Sequence, residues 1–406
     1  MPRHACWSVS CCLVAMVWVG CQVEPVCESS SGGPVDDAEP DEPSTADKWS
    51  FWESGTQLRG ANLLGCLAGD ADLTECLETN SEQDVRDLAG YGANLLVANF
   101  ETLFTCQVPA EPYAQGVETF DDYLEWADEE DMAVVLYQTI GPGRPLEIFH
   151  GDAPEQEGEV FVDPDAREAW LDMWRWIARR YRGRDHLVGY TLMGEPHPEA
   201  DPDMFATDEE AVDAWNQLVA DSVAAIREED PSTPVIVSPV YWANPLAFPY
   251  LEPVDDPYVV YGFSGYEPDA YTHQYPDQGG VPISCPGTVE VDGEVVDLDA
   301  DFLRSMYEPA IEFAQTHDAV MFANEFGSVR WADGAVEFHG DLLELFEEQG
   351  WNYAHYAWRA TSSREADDPG AFDLEYGADP DSRTRLPPAD NPLLRVHVDR
   401  WALNGS

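Results

Sequence analysis

Short apolar runs alternate with amphipathic stretches along most of this chain. The runs at Gln57–Leu64, Asn94–Asn99, Ala133–Gln138, Val188–Met193, Val235–Ser238, Val259–Phe263, Ala319–Asn324 and Asn352–Trp358 are bounded by turn-forming residues and read as buried strands. Between them, apolar residues recur at helical spacing over Glu82–Tyr91, Phe120–Glu130, Pro164–Arg182, Asp208–Glu229, Phe302–His317 and Ala335–Gln349. Eight strands alternating with helices predict a parallel sheet, and eight is the number that closes a (β/α)8 barrel. An open doubly wound sheet competes, but no phosphate-cradling Gly-x-Gly-x-x-Gly follows the first strand. The stretches 141–162 and 267–298 follow strands, are rich in Pro, Gly, Asp and Glu, and are expected to wall a cleft on the C-terminal face. Neither an internal repeat nor a separate carbohydrate-binding module is visible in the pattern.

Two acids stand out against that background. Glu195 closes the run Tyr190-Thr-Leu-Met-Gly-Glu, and Glu325 closes Val320-Met-Phe-Ala-Asn-Glu. Most of the chain's 79 acidic residues belong on the surface, whereas each of these ends an apolar strand and is followed by Pro or Phe-Gly. A retaining glycosidase needs such a pair. One carboxyl is protonated and gives its proton to the leaving oxygen; the other is ionised and attacks the anomeric carbon. Mutual proximity splits their pKa values.

The net charge of −59, with a single Lys (Lys48) among 20 basic residues, repels nucleic acid and anionic membranes as partners. It points to a salt-adapted source, since salt screens the self-repulsion. At the N-terminus, Arg3 and His4 precede an apolar run over residues 11–21, too short for a comfortable membrane span and suited to a signal-peptide core. Val19-Gly20-Cys21 resembles a bacterial lipobox, which makes Cys21 the candidate lipid anchor, with ordinary secretion as the alternative. Residues 22–48 read as an acidic disordered tether and 49–406 as the folded domain, a monomer. Four cysteines then remain in that domain: Cys66, Cys76, Cys106 and Cys285. An even set in an exported chain suggests disulfides. Three pairings are open, of which Cys66–Cys76 with Cys106–Cys285 is favoured.

The run Trp170-Leu-Asp-Met-Trp-Arg-Trp-Ile-Ala-Arg-Arg-Tyr181 followed by Leu187-Val-Gly-Tyr-Thr-Leu-Met-Gly-Glu-Pro196 resembles glycoside hydrolase family 5, the cellulase and mannanase family of (β/α)8 barrels. The likeness runs from Leu58-Arg-Gly-Ala-Asn62 to Trp358 and takes in Tyr261-Gly-Phe-Ser-Gly-Tyr-Glu-Pro268 and Tyr271-Thr-His-Gln274. It implies Glu195 as acid/base, Glu325 as nucleophile, Tyr266 as a hydrogen-bond donor to the nucleophile and Trp358 as the floor of the sugar site. It implies no metal and no organic cofactor. The departures are specific: Gly194 stands where the family has Asn, Ser264 matches its strand 6 His, its strand 3 His falls near Tyr137 or Gln138, and its strand 2 Arg has no counterpart in 93–99. Asn324, His197 and His273 are candidates to replace the lost hydrogen bonds. Trp242 and Trp331 are candidates for sugar stacking, against core packing, and Trp52 is expected to plug the closed end of the barrel.

The leading expectation is therefore a retaining endo-β-glycosidase acting on a β-1,4-linked glucan or mannan. A catalytically silent glycan-binding surface lipoprotein is the rival favoured by the departures. A hydrolase of glycolipids or small glycosides is the third reading.

Overall fold

The computed structural model describes residues 42–64, 81–100, 103–106, 108–109, 111–144, 158–200, 204–275, 281–291, 293–359 and 369–405. In chain order the strands are β1 (Arg59–Leu64), β2 (Leu95–Phe100), β3 (Ala133–Gln138), β4 (Leu187–Thr191), β5 (Val235–Val237), β6 (Val259–Gly265), β7 (Gly287–Val291), β8 (Glu294–Leu298), β9 (Val320–Phe326) and β10 (Asn352–Trp358). Eight of them, β1 to β6 with β9 and β10, pair in parallel and close into a barrel in which β1 meets β10. β7 and β8 form a separate antiparallel hairpin. Strands covered on both faces have no polar side, and β3, β4, β5 and β6 are accordingly buried along their whole length.

The helices are α1 (Glu82–Gly90), α2 (Ala114–Glu129), α3 (Pro164–Tyr181), α4 (Asp208–Glu229), α5 (Ala300–Met306), α6 (Glu308–His317), α7 (Ala335–Gln349) and α8 (Pro392–Trp401). Local chemistry sets their ends. Asp163 accepts from the N–H groups of Asp165 and Ala166 ahead of Pro164, which has no N–H to satisfy. Asn391 caps α8 in the same way, with Pro392 behind it. The single helix expected over 302–317 divides at Tyr307, because Pro309 lacks the N–H that would continue the ladder. α8 and the β7–β8 hairpin had no counterpart in the expected elements; only Val289 and Leu298 of the hairpin are buried, so its apolar signal is thin.

Apolar side chains form two cores. The larger fills the layer between barrel and helices, and the smaller is the barrel interior. Trp52 closes the interior at its N-terminal end: it is 1% exposed, donates from Nε1 to the Val188 carbonyl (2.9 Å) and meets Phe322 edge-on at 5.3 Å. Tyr137 belongs to the same interior column and sits toward the C-terminal end of β3.

The leader and Cys21 lie outside the described residues, as do Cys66 and Cys76. The last part of the expected tether is docked on the domain. Ser44 N–H donates to the Arg182 carbonyl (2.9 Å), and buried Lys48 donates to Thr233 Oγ1 (2.8 Å). The favoured Cys106–Cys285 pairing is corrected: Cys106 is disulfide-bonded, but Cys285 is a free buried thiol. Cys285 N–H is tied to the Asp333 carbonyl (2.9 Å) and its Sγ faces the Leu298 carbonyl at the end of β8, so the hairpin covers it.

Candidate active site

The strand ends converge on Glu195 and Glu325. Glu325 is the sixth residue of β9 and is 6% exposed. Both of its oxygens are held: Asn99 Nδ2 at the end of β2 donates to Oε1 (3.1 Å), and the Tyr266 hydroxyl just after β6 donates to Oε2 (3.0 Å). Thr139 Oγ1 in turn donates to Asn99 Oδ1 (3.2 Å), which fixes the amide so that its NH2 faces the carboxylate. Glu195 lies four residues past β4, half-buried, with a left-handed backbone at φ 47°. That conformation is costly for a non-glycine residue. It is held through the Glu195 carbonyl, which accepts from Arg144 Nη2 (3.0 Å) and from His197 Nδ1 (2.5 Å).

Burial raises both carboxyls above the ordinary range, and the two charges oppose each other. The hydrogen bonds from Tyr266 and Asn99, with the nearby Tyr137 hydroxyl, counter the rise at Glu325. At Glu195 the Glu325 charge adds to burial, with Arg144 and Ser264 opposing, and the group is raised to about 8. Of the two, Glu325 is the one equipped to carry the negative charge.

Gly194 explains much of the surrounding geometry. A Cβ there would lie 2.4 Å from Tyr137 Cε1 and 3.0 Å from Thr139 Oγ1, so the Tyr137 ring occupies the space that any side chain at 194 would need. The Tyr137 hydroxyl is buried close enough to interact with Glu325 and Glu195, and Ser264 Oγ is close to both Glu195 and that hydroxyl. Neither hydroxyl oxygen has a well-aligned hydrogen-bond partner within the protein.

Several other sequence candidates fall into different roles. His197 stacks face to face on Trp242 (3.5 Å, 9°), joining the loops after β4 and β5. His273 pairs with Asp269 (2.8 Å) and packs edge-on against Tyr266 at 5.2 Å, so it backs the tyrosine. Half-buried Trp331 donates from Nε1 to the Gln274 carbonyl (2.9 Å), fastening the segment after β9 to the one after β6. Two expectations are corrected. Asn324 does not support Glu325; it is fully buried and donates to Ser238 Oγ (3.1 Å), at the point where the register between β6 and β9 shifts. Trp358 does not floor the site: it has no exposed surface, donates to the Asp84 carbonyl (3.0 Å) on α1 and lies under the Arg359 guanidinium at 4.7 Å.

The pairing of β10 with β1 is irregular, His355 lying opposite Ala61 and Trp358 opposite Leu63, and Tyr356 of β10, half-buried, is the aromatic beside Tyr266 (6.3 Å) and Phe372 (5.9 Å). Asn99, Tyr137, Arg144 and Tyr356 are the site residues that sequence reasoning passed over. Asn99 carried the same signal as the two acids, a polar residue closing an apolar strand.

Two outcomes follow for stability. Glu195 is raised in the folded chain, so folding is favoured below the unfolded carboxyl's pKa and loses that contribution as pH rises through the folded value. Glu195→Gln, which keeps the shape without the charge, should match the wild-type melting temperature near pH 4.5. It should exceed it by a growing margin up to about pH 8 and hold that margin above, as read by thermal melts across pH. Gly194→Ala should cost about 1–3 kcal/mol by overpacking, and in a Tyr137→Ala background most of that cost should vanish. Denaturant melts of the four proteins in that double-mutant cycle measure the coupling.

The match to known proteins agrees with this geometry. Residues 54–362, most of the chain, match the model for cellulase, glycosyl hydrolase family 5. Among curated relatives, endoglucanase C of Acetivibrio thermocellus is 25% identical over 303 residues, which is 67% of this chain and 83% of that one. Cellodextrinase A of Ruminococcus flavefaciens is 22% identical over 298 residues, covering 72% and 83%. A crystal structure described as a glycoside hydrolase shares the fold with a TM-score of 0.66 at 19% identity, covering 85% of this chain and 99% of its own. The chain belongs to glycosyl hydrolase family 5 and is a glycoside hydrolase.

Proposed function

We propose that this enzyme cleaves within β-1,4-linked polysaccharide, glucan or mannan, by double displacement with net retention. The observation that carries the assignment of roles is the unequal treatment of two neighbouring carboxyls. Glu325 has a hydrogen-bond donor on each oxygen, which favours the ionised form and aims it as the nucleophile. Glu195 carries the larger share of the mutual repulsion and keeps its proton near neutral pH, as a general acid must. After the glycosyl–enzyme bond to Glu325 forms and the leaving group takes the proton, Glu195 is a carboxylate. It then removes a proton from water as that water attacks the anomeric carbon, which releases Glu325.

Tyr137 and Ser264 supply buried hydroxyls between the carboxyls, placed to bond a sugar hydroxyl. Tyr356 offers an aromatic face beside the pair. The relatives named endoglucanase support the polymer and the internal mode of cleavage. We further propose export and anchoring through Cys21, a reading supported by the N-terminal apolar run and Val19-Gly20-Cys21, and a working range at high salt, supported by the −59 charge that salt would screen.

The test is turnover in high salt on β-1,4-glucan, β-1,4-mannan and β-1,4-xylan, read both by reducing ends and by viscosity. One glucan or mannan should be cut, with viscosity falling well ahead of reducing-end release. Glu325→Ala should abolish turnover, and Asn99→Ala should lower kcat about 10²- to 10³-fold, in the range of a lost preorganised donor. The rate should fall on the alkaline side as Glu195 loses its proton, at about 8. A well-folded wild type that turns over none of the three polymers would overturn the proposal, and cleavage confined to small glycosides would replace its substrate.

A further inference from the structure

Behind Glu325, on the side of β9 away from the barrel axis, three histidines from three elements meet in the core. They are His339 on α7, His355 on β10 and His397 on α8, each with no exposed surface. One ligand-capable nitrogen from each lies within 4.8 Å of those of the other two. Phe326, the residue after Glu325, packs against all three rings at 5.6–6.2 Å. Nothing in the glycosidase chemistry uses them.

Their hydrogen bonds select which nitrogens carry lone pairs. His355 lies near two backbone carbonyls, of Phe372 and Phe326, but only Nε2 makes an aligned bond, to Phe372 (3.0 Å), so Nε2 carries the proton and Nδ1 is the bare nitrogen. His339 Nε2 faces Ser328 Oγ (3.1 Å), and its Nδ1 faces His397 Nε2 (2.9 Å). His355 Nδ1 is buried without an aligned hydrogen-bond partner, the need an ion would meet, whereas His397 Nδ1 is unmatched with or without one. Leaving a buried polar group unmatched is costly. Metal-binding imidazoles usually donate their outer N–H to a carbonyl or another oxygen while the inner nitrogen meets the ion. His355 and His339 stand in that relation to Phe372 and Ser328.

We propose that His339, His355 and His397 form a zinc site that clasps β10, α7 and α8 together behind the catalytic strand. Imidazole nitrogens suit late first-row divalent ions, and zinc accepts a tetrahedral set with three protein ligands and a water. Ligand nitrogens around zinc stand roughly 3.4 Å apart, given a Zn–N bond of about 2.0–2.1 Å. The His339–His397 contact, at 2.9 Å, is already closer than that, and His355 has to approach by at most about 1.4 Å from the 4.8 Å within which all three nitrogens lie. The ion replaces the proton shared between His339 and His397, and His397 moves its own proton to Nδ1, so no net charge is left on the rings. The role is structural, since Phe326 separates the cluster from the substrate side.

The experiment uses the full chain without a histidine tag, isolated from zinc-supplemented cells and dialysed against a chelator, with metal content measured by plasma mass spectrometry. About one zinc per chain should remain, and protein from cobalt-grown cells should show the visible bands of low-coordinate Co²⁺. His397→Gln and His355→Gln should drop both signals to background. Ser328→Ala, which spares all three ligands, should weaken zinc binding about 10- to 100-fold, and zinc loss should lower the melting temperature. If wild type holds no more zinc or cobalt than the two His→Gln variants, the proposal fails and the cluster is a hydrogen-bonded core. Should the His variants not fold, wild type without the cobalt bands and with Ser328→Ala metal content unchanged from its own would equally overturn it.

Discussion

Two carboxyl groups buried side by side cannot both be ionised near neutral pH, and the site is organised around which of them is. Desolvation raises each, and the charge of one raises the other. What breaks the tie is local: Asn99 and Tyr266 hold both oxygens of Glu325, while the Arg144 and His197 bonds go to the backbone of Glu195. Donors aimed at a carboxylate favour its charge. Donors aimed at the main-chain carbonyl only fix where the side chain starts. The proton is thereby held more firmly by Glu195, raised to about 8, than by Glu325, raised to about 7.

The supporting residues act as a replaced set. Where the family pattern leads one to expect Asn at 194, this chain has Gly, and the Tyr137 ring fills the vacated volume to within 2.4 Å of a hypothetical Cβ. With Tyr137 in that space, its hydroxyl reaches the carboxyl pair from β3, and Ser264 approaches from β6. Asn99 supplies from β2 a hydrogen bond to the nucleophile. Changing one member alone, by restoring a side chain at 194, collides with another. That interlock explains how a chain lacking several expected donors retains a polarised Glu325.

The barrel was legible from periodicity because parallel strands buried on both faces leave continuous apolar runs, and the acids at β4 and β9 were legible because they interrupt such runs. Roles that depend on which face a residue takes were not. Asn324 and Trp358 each lie at a strand end, but Asn324 packs into the interior and Trp358 out toward α1. Tyr356, two residues before Trp358, sits beside the site instead. Register shifts between Phe263 and Ser264 and between Ala61 and Leu63 sharpen the difficulty, since one inserted step reverses inward and outward. The His339, His355 and His397 cluster was invisible for another reason: its members are scattered in sequence, and only the docking of α8 brings the third to the other two.

The central claim is that Glu325 is the carboxylate that bonds to sugar. The most direct measurement is trapping with an activated 2-deoxy-2-fluoro β-cellobioside or mannobioside, which slows hydrolysis of the glycosyl–enzyme, followed by peptide mass mapping. The account predicts one fluorosugar per chain on the peptide containing Glu325, and none in Glu325→Ala. Label on Glu195 or any other residue, or an active enzyme that turns over polymer and never accumulates the adduct while inverting the anomeric centre, would contradict it.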